Sequence, residues 1–304
     1  MFFSTPRFFL LATILVMNNS CTTHSHQVYT VAEGDSFPGD KTIVNNTISN
    51  AKVLKLLTLN IAHGRKDAMN QVFLSKERIQ QNLSEIAHVL VKQNADVIAL
   101  QEADGPSLWS GGFNHVEAIA KQANYPWYYQ AENASSWLFS YGTAILSRSP
   151  VSETLEYSFK PSPPTLNKGF LLTRISWKPD PGADEEINID IISVHLDFSR
   201  QKVRENQIAE MKEVLSKRNN PMIILGDFNS EWFSSRSVVK RLAEEGSLKV
   251  YQPQADHLST YNSRGSRLDW ILISNELEFV SYEVLQDTLS DHLAVIAEVQ
   301  LSNE

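Results

Sequence analysis

Cysteine is almost absent from this chain of 304 residues. Cys21 stands alone, which excludes an internal disulfide framework and any zinc site built on thiolates. Positive charge is also scarce: 27 Lys and Arg face 35 Asp and Glu, for a net charge of −8 and a pI near 5.5. Proteins that grip nucleic acid by generic phosphate neutralisation are usually basic, so that class loses ground. After the N-terminus no stretch is long and apolar enough for a membrane helix of ~20 residues, and the body is expected to be soluble. The motifs GxxxxGK(S/T), HExxH, GxSxG and GxGxxG do not occur. Nucleotide-triphosphate motors, zincins, serine hydrolases and Rossmann enzymes are therefore disfavoured. Gly64 and the pair Gly111-Gly112 lack phosphate-cradle spacing, and no internal repeat is present.

What is there points to a folded body behind an export signal. Hydrophobic residues make up 42% and charged ones 20%, enough to bury a sizeable core. Residues 1–21 carry Arg7 and then the predominantly apolar stretch Phe8–Met17, too short to span a bilayer but suited to a signal-peptide core. Ser20-Cys21 after this stretch resembles a bacterial lipoprotein signal, in which the cysteine is lipidated, although Asn18 and Asn19 stand where such signals carry aliphatic and small residues. An ordinary secretory signal with an incidental cysteine is the alternative. The expected location is periplasmic or outer-membrane lipoprotein, or secreted. The acidic body offers little attraction to an anionic membrane, so attachment would run through lipid at Cys21. Residues 22–50, rich in Thr, Ser, Asn, Asp and Gly, read as a polar linker or arm.

From residue 51 to 304 apolar strand-like runs alternate with helical patterns, as in an α/β protein of one domain. Strands are expected at Val53–Leu59, Val97–Leu100, Thr143–Leu146, Ile187–Val194, Met222–Leu225, Leu268–Ser274 and Leu293–Leu301. Helices are expected at Lys76–Asn94, Asn114–Asn124 and Gln201–Lys217. Polar residues fall repeatedly at strand ends: Asn60 after LTL, Glu102 after IALQ, His195 after IISV, Asp227 and Asn229 after IILG. Asp291-His292 precedes LAVIAEV, and Asp269 lies inside RLDWILI. Any one of these fits a turn. Together they describe a ligand-binding rim of a layered sheet. Carboxylates and amide oxygens without thiols suit Mg²⁺, Mn²⁺ or Ca²⁺, and two histidines add proton transfer. Phosphate-ester hydrolysis uses this combination.

The segments TLNIAHG (58–64), ALQEAD (99–104), YGTAILSRSP (141–150), SVHLD (193–197), LGDFNS (225–230), RLDWILIS (267–274) and SDHLAV (290–295) resemble, in this order, the endonuclease/exonuclease/phosphatase superfamily. The resemblance implies a four-layer α/β sandwich, two facing mixed β-sheets flanked by helices. It implies Glu102 as the principal metal ligand with Asn60 and Asp291 close to the ion, and Mg²⁺ as the cofactor. His292 becomes the phosphate-facing histidine or general base, paired with Asp269; Asp227 orients or deprotonates water; Asn229 and His195 hydrogen-bond the phosphoryl oxygens. Arg204 and Gln207 also match the family's pattern, with surface or packing roles at least as expected, and Asp197 is divided between lining the site and a turn.

The substrate stays open at this level: a lipid headgroup, a small phosphoester or nucleic acid. His195 matches the phosphatase, sphingomyelinase and deoxyribonuclease-like branches. Lys168-Gly169-Phe170 resembles a stretch of bacterial sphingomyelinases, but a solvated lysine ahead of a strand is the ordinary expectation. Aromatics between Tyr125 and Tyr141, Trp137 among them, are expected mostly in core or sheet packing, with some lining a cleft as the alternative, and Trp232 and Phe233 in a loop bordering the site. The leading reading is an exported, Mg²⁺-dependent phosphoesterase, expected to be a monomer. An extracellular nuclease and a catalytically silent, membrane-tethered binding module of the same fold are the alternatives.

Overall fold

Pairs such as Leu56-Leu57 and Ile191-Ile192 place apolar side chains at consecutive positions, which suits strands covered on both faces. The computed structural model describes residues 27–30, 51–68, 74–180, 186–261 and 265–302; residues 1–21 and Cys21 lie outside that set. Its strands are β1 (Gln27–Thr30), β2 (Leu54–Asn60), β3 (Val97–Asp104), β4 (Trp127–Gln130), β5 (Ala134–Ser135), β6 (Ser140–Ser147) and β7 (Val151–Ser158). They continue as β8 (Gly169–Trp177), β9 (Ile187–His195), β10 (Met222–Asp227), β11 (Lys249–Val250), β12 (Asp269–Ile273), β13 (Leu277–Val284) and β14 (Val295–Leu301). The helices are α1 (Lys76–Gln93), α2 (His115–Gln122), α3 (Gln201–Leu215) and α4 (Val238–Glu245).

One sheet runs β1-β7-β8-β9-β10-β12-β11, the other β13-β14-β2-β3-β6-β4 with β5 beside β6. Both are mixed: β9 with β10 and β2 with β3 are parallel. Alternate residues of each central strand then serve different layers. Leu54 and Leu56 of β2 meet Ile189, Ile191, Ile223 and Leu225 between the sheets. Leu57 and Leu59 face outward onto Ile79, Leu83, Ile86 and Leu90 of α1 and Ile119 of α2. On the far side Ile192, Val194 and Ile224 meet Ile208 and Met211 of α3 and Val239 and Leu242 of α4. This is the four-layer sandwich expected from the sequence.

Helix ends follow their capping chemistry. Ser75 accepts the Arg78 N–H ahead of α1, and Asn114 accepts the Glu117 N–H ahead of α2. Asn94, with φ +51, closes α1 in the left-handed conformation, one residue inside the expected end. The sequence pattern did not show β4, β5, β7, β11, β13 or α4. Strands such as β7 (VSETLEYS) and β13 (LEFVSYEV) carry polar residues throughout because they lie at or near sheet edges. Within the expected polar arm, Gln27–Thr30 forms β1 and pairs antiparallel with β7. Among the described residues no helix is long and apolar enough to cross a membrane.

At the end of β9 away from its histidine, Asp190 is fully buried. It accepts hydrogen bonds from Arg218 at 2.6 and 2.9 Å, Arg174 at 3.2 Å and Asn220 at 3.2 Å. Burial opposes its charge, but the bonds from Arg218 and Asn220 outweigh burial and hold its carboxyl below the usual value. A folded-state pKa below the unfolded one stabilises the fold above the unfolded pKa, and that share is lost as pH falls toward the folded value. The urea midpoint should therefore drop on acidification below about pH 4. In Asp190→Asn this component should vanish, and stability at pH 7 should fall by about 1.5–3 kcal/mol because Arg218 loses its charge-assisted bonds to Asp190 and keeps Glu153 as its carboxylate partner.

Candidate active site

Strand register collects most of the expected residues at one edge. His195 of β9 lies opposite Asp227 of β10, and Asp227 lies opposite Asp269 of β12. Residues opposite one another share a face, so these three side chains form a row. In the second sheet Asn60 lies opposite Gln101. Gly226 permits the close approach of β10 to β9. Its φ is +146, and a Cβ there would stand 2.1 Å from the Val194 carbonyl oxygen.

Glu102 is aimed by a defect in its strand. The expected strand stopped at Leu100, whereas β3 continues to Asp104 through a bulge between Leu100 and Ala103. Glu102 takes φ +51 within it, a costly conformation for a residue with a side chain, and one that redirects the carboxylate. Beneath it Gln101 Nε2 donates to Ser193 Oγ and to Thr58 Oγ1, each at 3.2 Å, tying the two sheets together.

Basic side chains surround that carboxylate. His63 Nε2 lies 3.4 Å from Oε2, while Lys168 Nζ and His195 Nε2 lie 3.8 Å from Oε1. Burial works against the Glu102 charge, but His63 and then Lys168 hold its carboxyl well below the usual range. Lys168 corrects the expectation of a solvated lysine. Its side chain is only 7% exposed, its Nζ sits 5.4 Å from the centre of the Tyr141 ring, and it reaches His195 Nδ1 at 3.3 Å. Glu102 and Tyr141 arrive from the other sheet, which local sequence does not reveal.

Two further residues went unassigned in the sequence. His63 Nδ1 meets Asp104 Oδ1 at 2.6 Å, and the ring packs edge-on against Tyr141 at 4.8 Å. Burial lowers the His63 pKa, but Asp104 and Glu102 more than compensate and raise it. The available signal was positional: Asp104 closes ALQEAD and His63 follows TLNIA, each just beyond an apolar run.

The other histidines are held in opposite states. Burial and Lys168 keep His195 well below its usual pKa and so neutral. With Lys168 donating to Nδ1, its Nε2 faces Asp227 Oδ2 at 3.5 Å. Burial also opposes charge on His292, but Asp269 and Asp227 raise it to about 10. His292 Nδ1 donates to Asp269 Oδ2 at 2.8 Å, which leaves Nε2 facing Asp227 Oδ2 at 3.9 Å. Thr260 Oγ1 also donates to Asp269 Oδ2, at 2.6 Å. Burial, with Asp269 beside it, raises Asp227 to about 7, against the pull of His292. Asp227 accepts from Asn60 Nδ2 at 3.1 Å and from the Asn229 backbone at 2.8 Å.

A cleft of about 550 Å³ is lined by Asn60, Glu102, His195, Asp227, Asn229, Asp291 and His292. Asp269 stands behind His292. Asn60 places its carbonyl oxygen on the Ala62 N–H at 3.0 Å and turns its amide to Asp227. Asn229, with φ +48, donates from its side chain to Leu196 O and Asp227 Oδ2. Asp291 pairs with Arg65. Arg204 lines the cleft and donates to Asp197 O. Asp197 serves the turn, accepting from the Ser199 and Arg200 backbones, and Gln207 accepts its N–H.

The oxygen donors fit a hard cation. Glu102, Asp227, Asp291 and Asn60 supply only oxygen and amide groups, and the neighbours of Glu102 stand at 3.4–3.8 Å, beyond ordinary hydrogen-bond length. Asp227, Asp269 and His292 also bring donor atoms within 4.8 Å of one another. There, however, Asp269 Oδ2 and His292 Nδ1 are spent on each other, which makes that cluster an oriented histidine rather than a cage.

A family model described as Endonuclease/Exonuclease/phosphatase family matches residues 57–292. No curated protein sequence matches the chain. Among solved structures, an endonuclease/exonuclease/phosphatase from Beutenbergia cavernae is similar at TM-score 0.62 and 16% identity, over 83% of this chain and 72% of that one. Beta toxin 275-280 from Staphylococcus aureus is similar at TM-score 0.57 and 22% identity, over 80% of this chain and 99% of the other. The mannosyl-6-phosphatase Bt3783 of Bacteroides thetaiotaomicron gives 0.57 and 17%, over 81% and 99%. At such identities the likeness is one of fold.

Substituting Glu102→Gln keeps the size of the side chain and removes its charge. Manganese binding, read by electron paramagnetic resonance, should weaken by about tenfold or more, while the circular dichroism spectrum stays unchanged. Undiminished binding would place the cation elsewhere.

Proposed function

The chain belongs to the endonuclease/exonuclease/phosphatase family, and on that footing we propose that it is an exported, Mg²⁺-dependent phosphoesterase that hydrolyses a phosphodiester or phosphomonoester by attack of water. One observation carries the reading: the row His195–Asp227–Asp269 shares a cleft edge with the carboxylate of Glu102 from the opposite sheet. Glu102 would hold the cation, with Asn60 and Asp291 beside it. A bound divalent ion supplies neutralisation of the non-bridging phosphoryl oxygens.

The chain's own groups divide the remaining work. Asp269 fixes the His292 tautomer and favours its imidazolium, so Nε2–H points into the cleft as a proton donor. Asp227 is then the acceptor for the proton of the attacking water, aligned by Asn60 and the Asn229 backbone. His195, through Nε2–H, faces the oxygens on which charge builds, while Asn229, its side-chain amide engaged by Leu196 O and Asp227, holds Asp227 in place. The nuclease alternative is weakened by the net charge of −8. The silent-module alternative leaves the convergence of hard ligands and two differently protonated histidines without a purpose.

Bis-p-nitrophenyl phosphate should be hydrolysed in the presence of Mg²⁺ and not after EDTA; turnover indifferent to both would remove the reading. His292→Ala should lower turnover of an alkyl phosphoester by roughly 10²-fold or more. For a p-nitrophenyl ester, whose leaving group needs little protonation, the loss should be smaller. Equal losses would assign His292 a role other than donating to the leaving oxygen.

A further inference from the structure

Seven large apolar side chains are exposed among the described residues: Val91, Leu108, Trp137, Leu166, Phe198, Phe233 and Val280. Five of them sit on loops at the edge that carries the cleft. Leu108 follows β3, which ends at Asp104, and Trp137 precedes Tyr141 of β6, the partner of Asp104. Leu166 precedes Gly169 of β8, the partner of His195; Phe198 follows His195; Phe233 follows Asp227. Trp137 is 84% exposed and Phe233 70%.

These tips are held rather than loose. On one lip the Trp109 N–H donates to Leu138 O at 3.1 Å and the Trp109 and Phe139 rings lie 4.9 Å apart. On the other, Thr165 Oγ1 donates to Asp197 Oδ2 at 2.6 Å, joining the loop of Leu166 to that of Phe198. Gln201 reaches Arg236 O and joins α3 to the loop of Phe233. Phe198 and Ser234, the neighbour of Phe233, line the cleft itself. Apolar groups fixed in water around an opening mark an interaction surface.

The N-terminal segment enters on the same side. In β1 Gln27 pairs with Glu156 and Thr30 with Glu153, while Ser158 of β7 pairs with Gly169, itself opposite His195. The first residue of β1 is therefore the one nearer the catalytic edge, about 15 Å across three strand spacings from β9. Five residues separate Gln27 from Cys21, a reach of at most about 20 Å. An apolar signal or acyl chain at that end pulls this edge, not the opposite one, toward a bilayer.

We propose that the rim bearing Leu108, Trp137, Leu166, Phe198 and Phe233 docks on a zwitterionic phospholipid surface, with the cleft opening onto the headgroups. The net charge of −8 disfavours an anionic surface. Leu108 and Leu166 are aliphatic and have no ring to stack on a nucleic-acid base. The proposal draws on the phosphoesterase reading only for what the docked cleft hydrolyses, because contact with lipid is measured without turnover.

The test uses the full chain bound to phosphatidylcholine vesicles whose acyl chains carry bromine. Trp137 emission, taken as the difference from Trp137→Phe, should be quenched. Association by the N-terminus with Trp137 unquenched would overturn the proposal. So would a concentration-dependent blue shift of Trp137 without vesicles, which marks a second copy on the rim, or protection of Trp137 by plasmid DNA in place of vesicles. In a second arm, Leu108→Glu/Trp137→Glu/Phe233→Glu should lower hydrolysis of a vesicle-borne phosphoester by about tenfold or more. It should leave bis-p-nitrophenyl phosphate turnover unchanged. Val91→Glu/Val280→Glu should change neither, and an equal loss in that control would count against the rim.

Discussion

Parallel pairing of β9 with β10 sets His195 against Asp227, and antiparallel pairing of β10 with β12 sets Asp227 against Asp269. A slip of one residue in either pairing turns the affected side chains to the opposite face and dissolves the row. Hydrophobicity alone does not forbid that slip, because β9 and β10 are apolar on both faces: Ile191 and Ile223 look inward while Ile192 and Ile224 look outward. Polar punctuation holds the register instead. Asp190 clamps Arg218 and Arg174 at one end of β9, and the bare backbone of Gly226 fits against Val194 O near the other.

The central strands and first three helices are legible because burial on both faces leaves unbroken apolar runs, and amphipathic helices leave a 3.6-residue stripe. Edge strands such as β7 and β13 alternate weakly and merge with loops. The rim residues Asn60, Glu102, His195, Asp227 and His292 could be picked out because each interrupts an apolar run. Lys168 and His63 could not be read the same way. What ties each of them to the site is a partner, Glu102 or Asp104, more than 35 positions away in the chain. Trp137, one of a cluster expected mostly in packing, is the most exposed large apolar residue among those described, since a hairpin tip and a core strand look alike in composition.

The electrostatic arrangement is a separation of roles by neighbours rather than by residue type. His195 and His292 flank the same Asp227, yet a lysine beside one keeps it neutral and a carboxylate behind the other keeps it protonated. Glu102 and Asp227 diverge in the same way: His63 and Lys168 keep Glu102 ionised, whereas burial beside Asp269 makes Asp227 a stronger base. Four ordinary side chains thus present a fixed anion, a proton acceptor, a proton donor and a neutral hydrogen-bond donor within one cleft.

Ala62, His63, Glu102 and Asn229 all adopt left-handed backbone at the cleft edge. Each such conformation costs on the order of 1 kcal/mol or more, against a whole-domain stability of about 5–15 kcal/mol. Drift toward greater robustness therefore has its easiest gains here, by relaxing those very turns. A descendant selected only for endurance would become sturdier and inert together, and its loss of chemistry would begin in the main chain before any ligand was replaced.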